Sequence, residues 1–135
     1  MRARASVGAT YRARCERIEQ RERTGQHDAR RAVKGTRRTR DHEARIAVLE
    51  RCHGLCENPT CLLRDLPYRT SAGDPLLEVD HIDDHAAGGS EHPKAMIALC
   101  PNCHAYKTRG AGRAALTERL RIAALAAHEA LRFTP

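Results

Sequence analysis

Two cysteine pairs constrain this chain more than any other feature. Cys56 and Cys61 have four residues between them, Cys100 and Cys103 have two, and Cys100 stands 39 positions after Cys61. Each pair brackets turn chemistry, Asn58-Pro59 in the first and Pro101-Asn102 in the second. Proline and asparagine favour tight turns that bring flanking side chains round to one point. Two such thiol pairs can close as a tetrahedron around Zn²⁺, with Zn–S bonds of about 2.3 Å. The plainer reading, four reduced buried cysteines, accounts for neither the spacing nor the turns. A closed zinc site supplies roughly 10 kcal/mol or more of folding free energy. The chain has need of it: 135 residues hold one Phe, three Tyr and no Trp, and small domains with thin cores lean on metals or disulfides.

Six cysteines in all are present. The first forty residues contain no apolar run of the kind a secretory signal needs, and nothing approaches the roughly 18 apolar residues of a membrane span. The expectation is a cytoplasmic chain with reduced thiols and no membrane association, in which clustered cysteines favour metal over disulfide. Cys52 reads as a core thiol on a helix, with a role as alternative ligand as the other choice; Cys15 reads as a bystander.

Charge is placed unevenly. Residues 1–40 carry 13 Arg or Lys against 4 Asp or Glu, a net +9, whereas residues 41–135 carry 11 against 13, a net −2. With Ile18 and Val33 nearly alone as large aliphatics, residues 1–40 bury too little to offset their ordering entropy. They are expected to form a basic arm, flexible or partly helical over 11–23. Its arginines, Arg37, Arg38 and Arg40 among them, suit DNA phosphates; a solvated tail is the alternative.

Residues 41–135 read as one α+β domain. A helix is expected over 41–53, capped by Asp41 and ended by Gly54, with Ile46 and Leu49 on one face. "LLEVDHI" (76–82) and "MIAL" (96–99) read as strands, joined by a polar loop containing a Gly pair. "CPNCHAYKTR" begins as a turn and becomes a helix bearing His104 and Lys107. A last helix over 114–132 offers Leu116, Leu120, Ile122, Leu125 and Leu131 for packing.

Four thiolates leave a zinc ion closed, so His104 is free for other work. Asp80 and His81 end the first strand. One carboxylate and one imidazole, Asp80 and His104, form a sparse site that leaves positions open for water and phosphate oxygen, as a catalytic divalent ion such as Mg²⁺ needs. His81 has an ordinary pKa near neutrality and can take a proton from water. Adjacent strand residues face opposite sides, so both border one cleft only if the chain turns at the strand end.

"LEVDHIDDHAAGG" followed by "HPKAMIALCPNCHAYKTRG" resembles the HNH endonuclease family with its ββα-metal fold, and most of all the subgroup found in Mcr-type, modification-dependent restriction enzymes. The resemblance covers about residues 45–110. It implies a zinc-stabilised finger flanked by helices, with His81 as general base, Asp80 and His104 holding one divalent metal, Cys56, Cys61, Cys100 and Cys103 holding structural zinc, and DNA as partner. It also implies phosphodiester hydrolysis leaving 5′-phosphate and 3′-hydroxyl ends. Lys107 and Arg109, a turn or so past His104, would meet DNA phosphates. The sequence departs from the family at one place: the motif Asn, five residues before the third cysteine, is Ala95. That Asn helps orient the general-base His, and alanine cannot; Lys94 or His92 are candidates to compensate. The expected function is therefore a metal-dependent DNA endonuclease, with a zinc-stabilised DNA-binding module of weakened or lost catalysis as the alternative. Of the other histidines, His85 and His92 read as surface residues of the polar loop, and His27, His42, His53 and His128 as incidental.

Overall fold

The computed structural model describes residues 6–25, 42–63, 65–83 and 91–132. Arg37, Arg38 and Arg40 of the expected arm, together with His27, the expected cap Asp41 and His85, lie outside them.

Helix α1 spans Val7–Thr24. The Ser6 side chain caps its start by accepting the Ala9 N–H, and Gly25 ends it with φ 74°, a left-handed conformation that glycine reaches without a Cβ clash. Tyr11, Cys15 and Ile18 recur at i, i+4 and i+7 and are all buried, which is the one apolar stripe this charged helix owns. Helix α2 spans His42–Cys52 and turns Ala44, Ala47, Val48, Arg51 and Cys52 inward. Its core face is thus built of small residues, and Ile46 and Leu49 stand at its edge, half-buried. The small side chains let α1 approach closely. Glu43 accepts from Arg17 and Arg21, and Glu50 from Arg14, so the basic charge of α1 finds carboxylates on α2.

Strands β1 (Glu78–His81) and β2 (Met96–Leu99) form an antiparallel pair in which Asp80 faces Ile97 and His81 faces Met96. All four residues of β2 are buried, because helices cover it as well as β1. A short 3₁₀ turn, Pro93–Ala95, leads into β2. Helix α3 (Pro101–Arg109) follows β2 at once, with Pro101 at its first position, where a missing N–H costs nothing. Helix α4 (Arg113–Arg132) crosses the domain and buries Leu116, Leu120, Ala124 and His128. The buried stripe thus runs at intervals of four. Ile122 and Leu125, expected to pack, are 70% and 46% exposed on the outer face.

Arg51 organises the centre. It is 5% exposed and every part of its guanidinium is used. It donates to both Glu57 carboxylate oxygens at 2.8 Å, to the Pro93 carbonyl at 2.9 Å, to the Met96 carbonyl at 2.8 Å and to the Tyr11 hydroxyl at 3.3 Å. One side chain thereby joins α1, α2, the 3₁₀ turn, β2 and the turn after Cys56. A buried charge is tolerated only when paired and hydrogen-bonded in this way.

Candidate active site

The four thiols do converge. The Sγ atoms of Cys56, Cys61, Cys100 and Cys103 all lie within 4.8 Å of one another. A tetrahedron with arms of about 2.3 Å has edges of about 3.8 Å, and Cys61 Sγ and Cys100 Sγ are 3.8 Å apart. The turns that carry them are fixed independently. Asn58 Oδ1 accepts from the Thr60 N–H and hydroxyl, while its Nδ2 donates to Cys103 Sγ at 3.3 Å. The Glu57 N–H donates to the Ala98 carbonyl at 2.8 Å, and Glu57 Oε1 accepts the Ala98 N–H at 2.9 Å, which straps the first pair to β2. The Cys103 N–H points at Cys100 Sγ. Burial pushes the Cys56 thiol well up and the Cys103 thiol up to about 11. The Cys61 thiol, beside the Leu63 carbonyl and the other thiols, is shifted down in spite of its burial. Metal binding requires the thiolate form, and a set of four cysteines in this geometry can hold a metal such as zinc. Cys52 stands apart, donating to the Leu49 carbonyl, and is a core thiol. Cys15 packs with Tyr11 and Ala47, and burial raises its pKa to about 11.

His104 sits in the first turn of α3, directly after the last cysteine. Its Nε2 lies 3.6 Å from Asp80 Oδ2, and its Nδ1 lies 2.7 Å from Glu78 Oε2. Glu78 and Asp80 are two apart on β1 and so share a face, the face that looks toward α3. The structure thus joins the two residues read as a metal pair and adds a third group, Glu78, which fixes the imidazole orientation from the other nitrogen. Carboxylate support of this kind is a common companion of a metal-ligating histidine. Lys107 also belongs here: its Nζ is 2.9 Å from Asp80 Oδ2 with only 13% of the side chain exposed. Arg109, two residues on, is exposed.

His81 follows the strand alternation and faces the other way. It is 5% exposed and its Nε2 lies 3.4 Å from Oε2 of Glu91, itself 3% exposed. Ala95 holds the backbone nearby: its carbonyl accepts the N–H of Ile82, the residue after His81, at 3.0 Å. His92, far from being a surface residue, is 2% exposed. Its Nδ1 accepts the Lys94 N–H and its Nε2 meets Glu19 at 3.0 Å. His128 is likewise no incidental residue: it is buried, with Nδ1 2.9 Å from the Tyr11 hydroxyl and its ring edge-on to that of His92. Asp83 pairs with Arg121 of α4 in the open, while His42 and His53 are exposed. Glu78, Glu91 and Arg51 were not singled out from sequence. The register "LEVDH" could have pointed to Glu78, since a residue two before Asp80 must share its face.

A two-stranded hairpin, a helix after it, a four-cysteine knuckle and an Asp/His pair at its edge make an arrangement similar to the finger of HNH endonucleases. Residues 56–110 match the family described as HNH endonuclease. Among curated proteins, the type IV methyl-directed restriction enzyme EcoKMcrA of Escherichia coli (strain K12) is 35% identical over 65 residues, 48% of this chain and 22% of that one. Among solved structures, the type IV phosphorothioation-dependent restriction endonuclease ScoMcrA superposes with a TM-score of 0.76 at 39% identity, covering 94% of this chain and 24% of that one. The chain spans less than a quarter of the length of either relative. Among the described residues no helix is long and apolar enough to cross a membrane.

Proposed function

We propose that this domain is a metal-dependent DNA endonuclease of restriction type. The observation that carries the reading is the meeting of Asp80 and His104 at the edge of the cysteine knuckle, with His81 next to Asp80 on the strand. Zn²⁺ on the four cysteines is the structural ion. A divalent cation such as Mg²⁺ held by Asp80 and His104 would neutralise charge on the phosphoryl and leaving oxygens. Glu78 keeps the His104 ring turned toward Asp80. His81 is buried on the face of β1 opposite Asp80 and His104, so it would act only once DNA binding opens its ring to the phosphate side. It would then take a proton from water as the water oxygen forms its bond to phosphorus, the bond from phosphorus to the 3′ oxygen would break, and that oxygen would take up a proton from solvent. The products are a 5′-phosphate and a 3′-hydroxyl. Lys107, held low in the site by Asp80, is placed to meet a phosphate oxygen once the carboxylate is shared with a cation. Arg109 and the arginines at 37, 38 and 40 would follow the strand beyond it. The basic arm read over residues 1–40 would add, through its part beyond α1, sequence-independent affinity by counterion release.

Restriction setting is supported by the two relatives. The chain covers only 22% and 24% of their lengths, and the modification each is named for is said of those proteins. The test is nicking of supercoiled plasmid, with and without methylation or phosphorothioation, across Mg²⁺, Mn²⁺, Co²⁺ and Ni²⁺. Wild type should cut, and His81→Ala should lose ~10²–10⁴-fold in rate while still binding DNA, the usual contribution of a general base. Binding without cleavage by wild type on every substrate and metal would make this a zinc-stabilised DNA-binding module instead.

A further inference from the structure

Ala95 leaves an open problem. Where the HNH pattern has an asparagine beside the general base, this chain offers a methyl group. The backbone part of that position is intact, since the Ala95 carbonyl still receives the Ile82 N–H and so fixes the main chain just after His81. What alanine cannot do is hold the imidazole ring by a side chain.

The ring nevertheless has a carboxylate beside it, within ion-pair distance and outside hydrogen-bond geometry. Glu91 enters from the far end of the loop that joins the strands, and its carboxylate reaches Nε2 of His81. Both side chains are nearly sealed from water, at 5% and 4% exposure. A carboxylate is not buried at the back of a hairpin without reason, because removing it from water is costly unless partners offset the loss. The geometry is that of a carboxylate behind a histidine base. Such a group fixes the ring plane and favours the tautomer whose proton lies on the carboxylate side, which directs the other nitrogen, Nδ1, to the task of accepting a proton. At 3.4 Å the contact is long for a charge-assisted bond, and bonds of this type commonly tighten only in the reacting complex. Of the two groups named as possible substitutes, His92 caps the 3₁₀ turn and contacts Glu19, and Lys94 is exposed.

We infer that Glu91 is the positioning residue for His81, taking by a side chain from the loop the role that Ala95 has given up. The inference rests on the nuclease reading above and deepens it. It replaces a neutral orienter on the strand side with an anionic one on the loop side, and so predicts that the two are interchangeable in part.

The experiment measures plasmid cleavage by the full chain, as kcat and KM separately, for wild type, Glu91→Gln, Glu91→Ala and Glu91→Ala with Ala95→Asn. Zinc content and DNA affinity are recorded for each. The rate should fall in the order wild type, Glu91→Gln, Glu91→Ala, because glutamine keeps an acceptor in place and alanine does not. The fall should reach about 10–100-fold in kcat, a part of what a general base contributes, with KM, zinc and DNA affinity within about twofold of wild type on the same scale. Adding Ala95→Asn to Glu91→Ala should recover several-fold. If Glu91→Ala fails to fold, the isosteric Glu91→Gln carries the test with the same Asn rescue. Rates for both Glu91 variants within twofold of wild type would overturn the inference and leave the nuclease standing. So would losses that track zinc or DNA affinity, or that Asn at 95 leaves untouched. No cleavage by wild type would instead overturn the nuclease reading, and the inference with it.

Discussion

The two halves of this molecule are held together by opposite means. The finger, from Cys56 to Arg109, gathers four thiols at one point and adds Leu77, Val79, Ile82 and β2 to the core it shares with the helices. The helical clasp of α1, α2 and α4 has no such cluster among the described residues; Tyr11 with His128 ties it together, and the buried pairs Arg51 with Glu57 and Glu19 with His92 tie it to the finger. A metal site fixes a few residues very tightly and is indifferent to what surrounds it. A hydrogen-bonded network spreads its stabilisation over many elements and fails when one partner is removed. The comparison matters for function because the candidate site lies at the seam: His104 hangs from the knuckle, whereas His81 and Glu91 sit on the side of the hairpin that the clasp covers.

The largest difference should show on zinc removal. Chelation strong enough to strip the four cysteines, or Cys103→Ser, should abolish the fold of the finger, a loss on the order of 10 kcal/mol in binding free energy, read as collapse of the circular dichroism signal and loss of about one zinc per chain by metal analysis. A native spectrum after complete zinc removal would erase the contrast between the halves. Next comes Arg51→Ala. It leaves the Glu57 carboxylate, two carbonyls and a tyrosine hydroxyl without their shared donor, and should cost about 3–5 kcal/mol in denaturant unfolding with zinc still bound. A cost under about 1 kcal/mol, the level of a surface pair, would show that the network is decoration.

The smallest of the three is a pH effect where His128 of the clasp packs on His92 of the finger. Burial, followed by the neighbouring His92 and Arg51, pushes His128 down to about 4, and burial also lowers His92. Both rings therefore bind protons less readily folded than unfolded. The unfolded chain takes up more protons as pH falls, so stability present above about pH 6.5 should be lost as pH drops toward 4, by roughly 2–3 kcal/mol for His128 alone. Unfolding midpoints across that range should slope for wild type and flatten for His128→Gln. An equal slope in both would place the titration elsewhere.

What could be read from sequence follows the same division. Ligand spacing and turn residues are local chemistry, and they sufficed to place the four cysteines at one point; "MIAL" and the helix after "CPNC" were equally legible. Asp80 and His104 followed from their position relative to the knuckle. The clasp was hidden for a physical reason. Composition counts every charge of α1 as solvated, whereas Arg14, Arg17 and Arg21 find Glu43 and Glu50 across a face of alanines, and three residues at helical spacing are enough to bury one side. Ile122 and Leu125 misled in the opposite sense, because hydrophobicity alone does not say which of two stripes on α4 meets the core. Glu91 was invisible as a site residue because it reads as part of a polar loop, and only the pairing of β1 with β2 brings it behind His81.

The central claim is that a catalytic cation at Asp80 and His104 is separate from the structural ion in the knuckle. The direct measurement is plasmid cleavage by the zinc-loaded chain after a mild chelator has removed weakly held cations, then after Mg²⁺ or Mn²⁺ is returned, with zinc content and circular dichroism followed throughout. Four thiolates hold zinc far more tightly than one carboxylate and one imidazole hold a hard cation. The account predicts that cleavage disappears and returns while zinc and fold stay constant, and that Asp80→Ala with His104→Ala never recovers it. Full cleavage in the chelator with zinc alone present, or undiminished cleavage by the double variant, would contradict it.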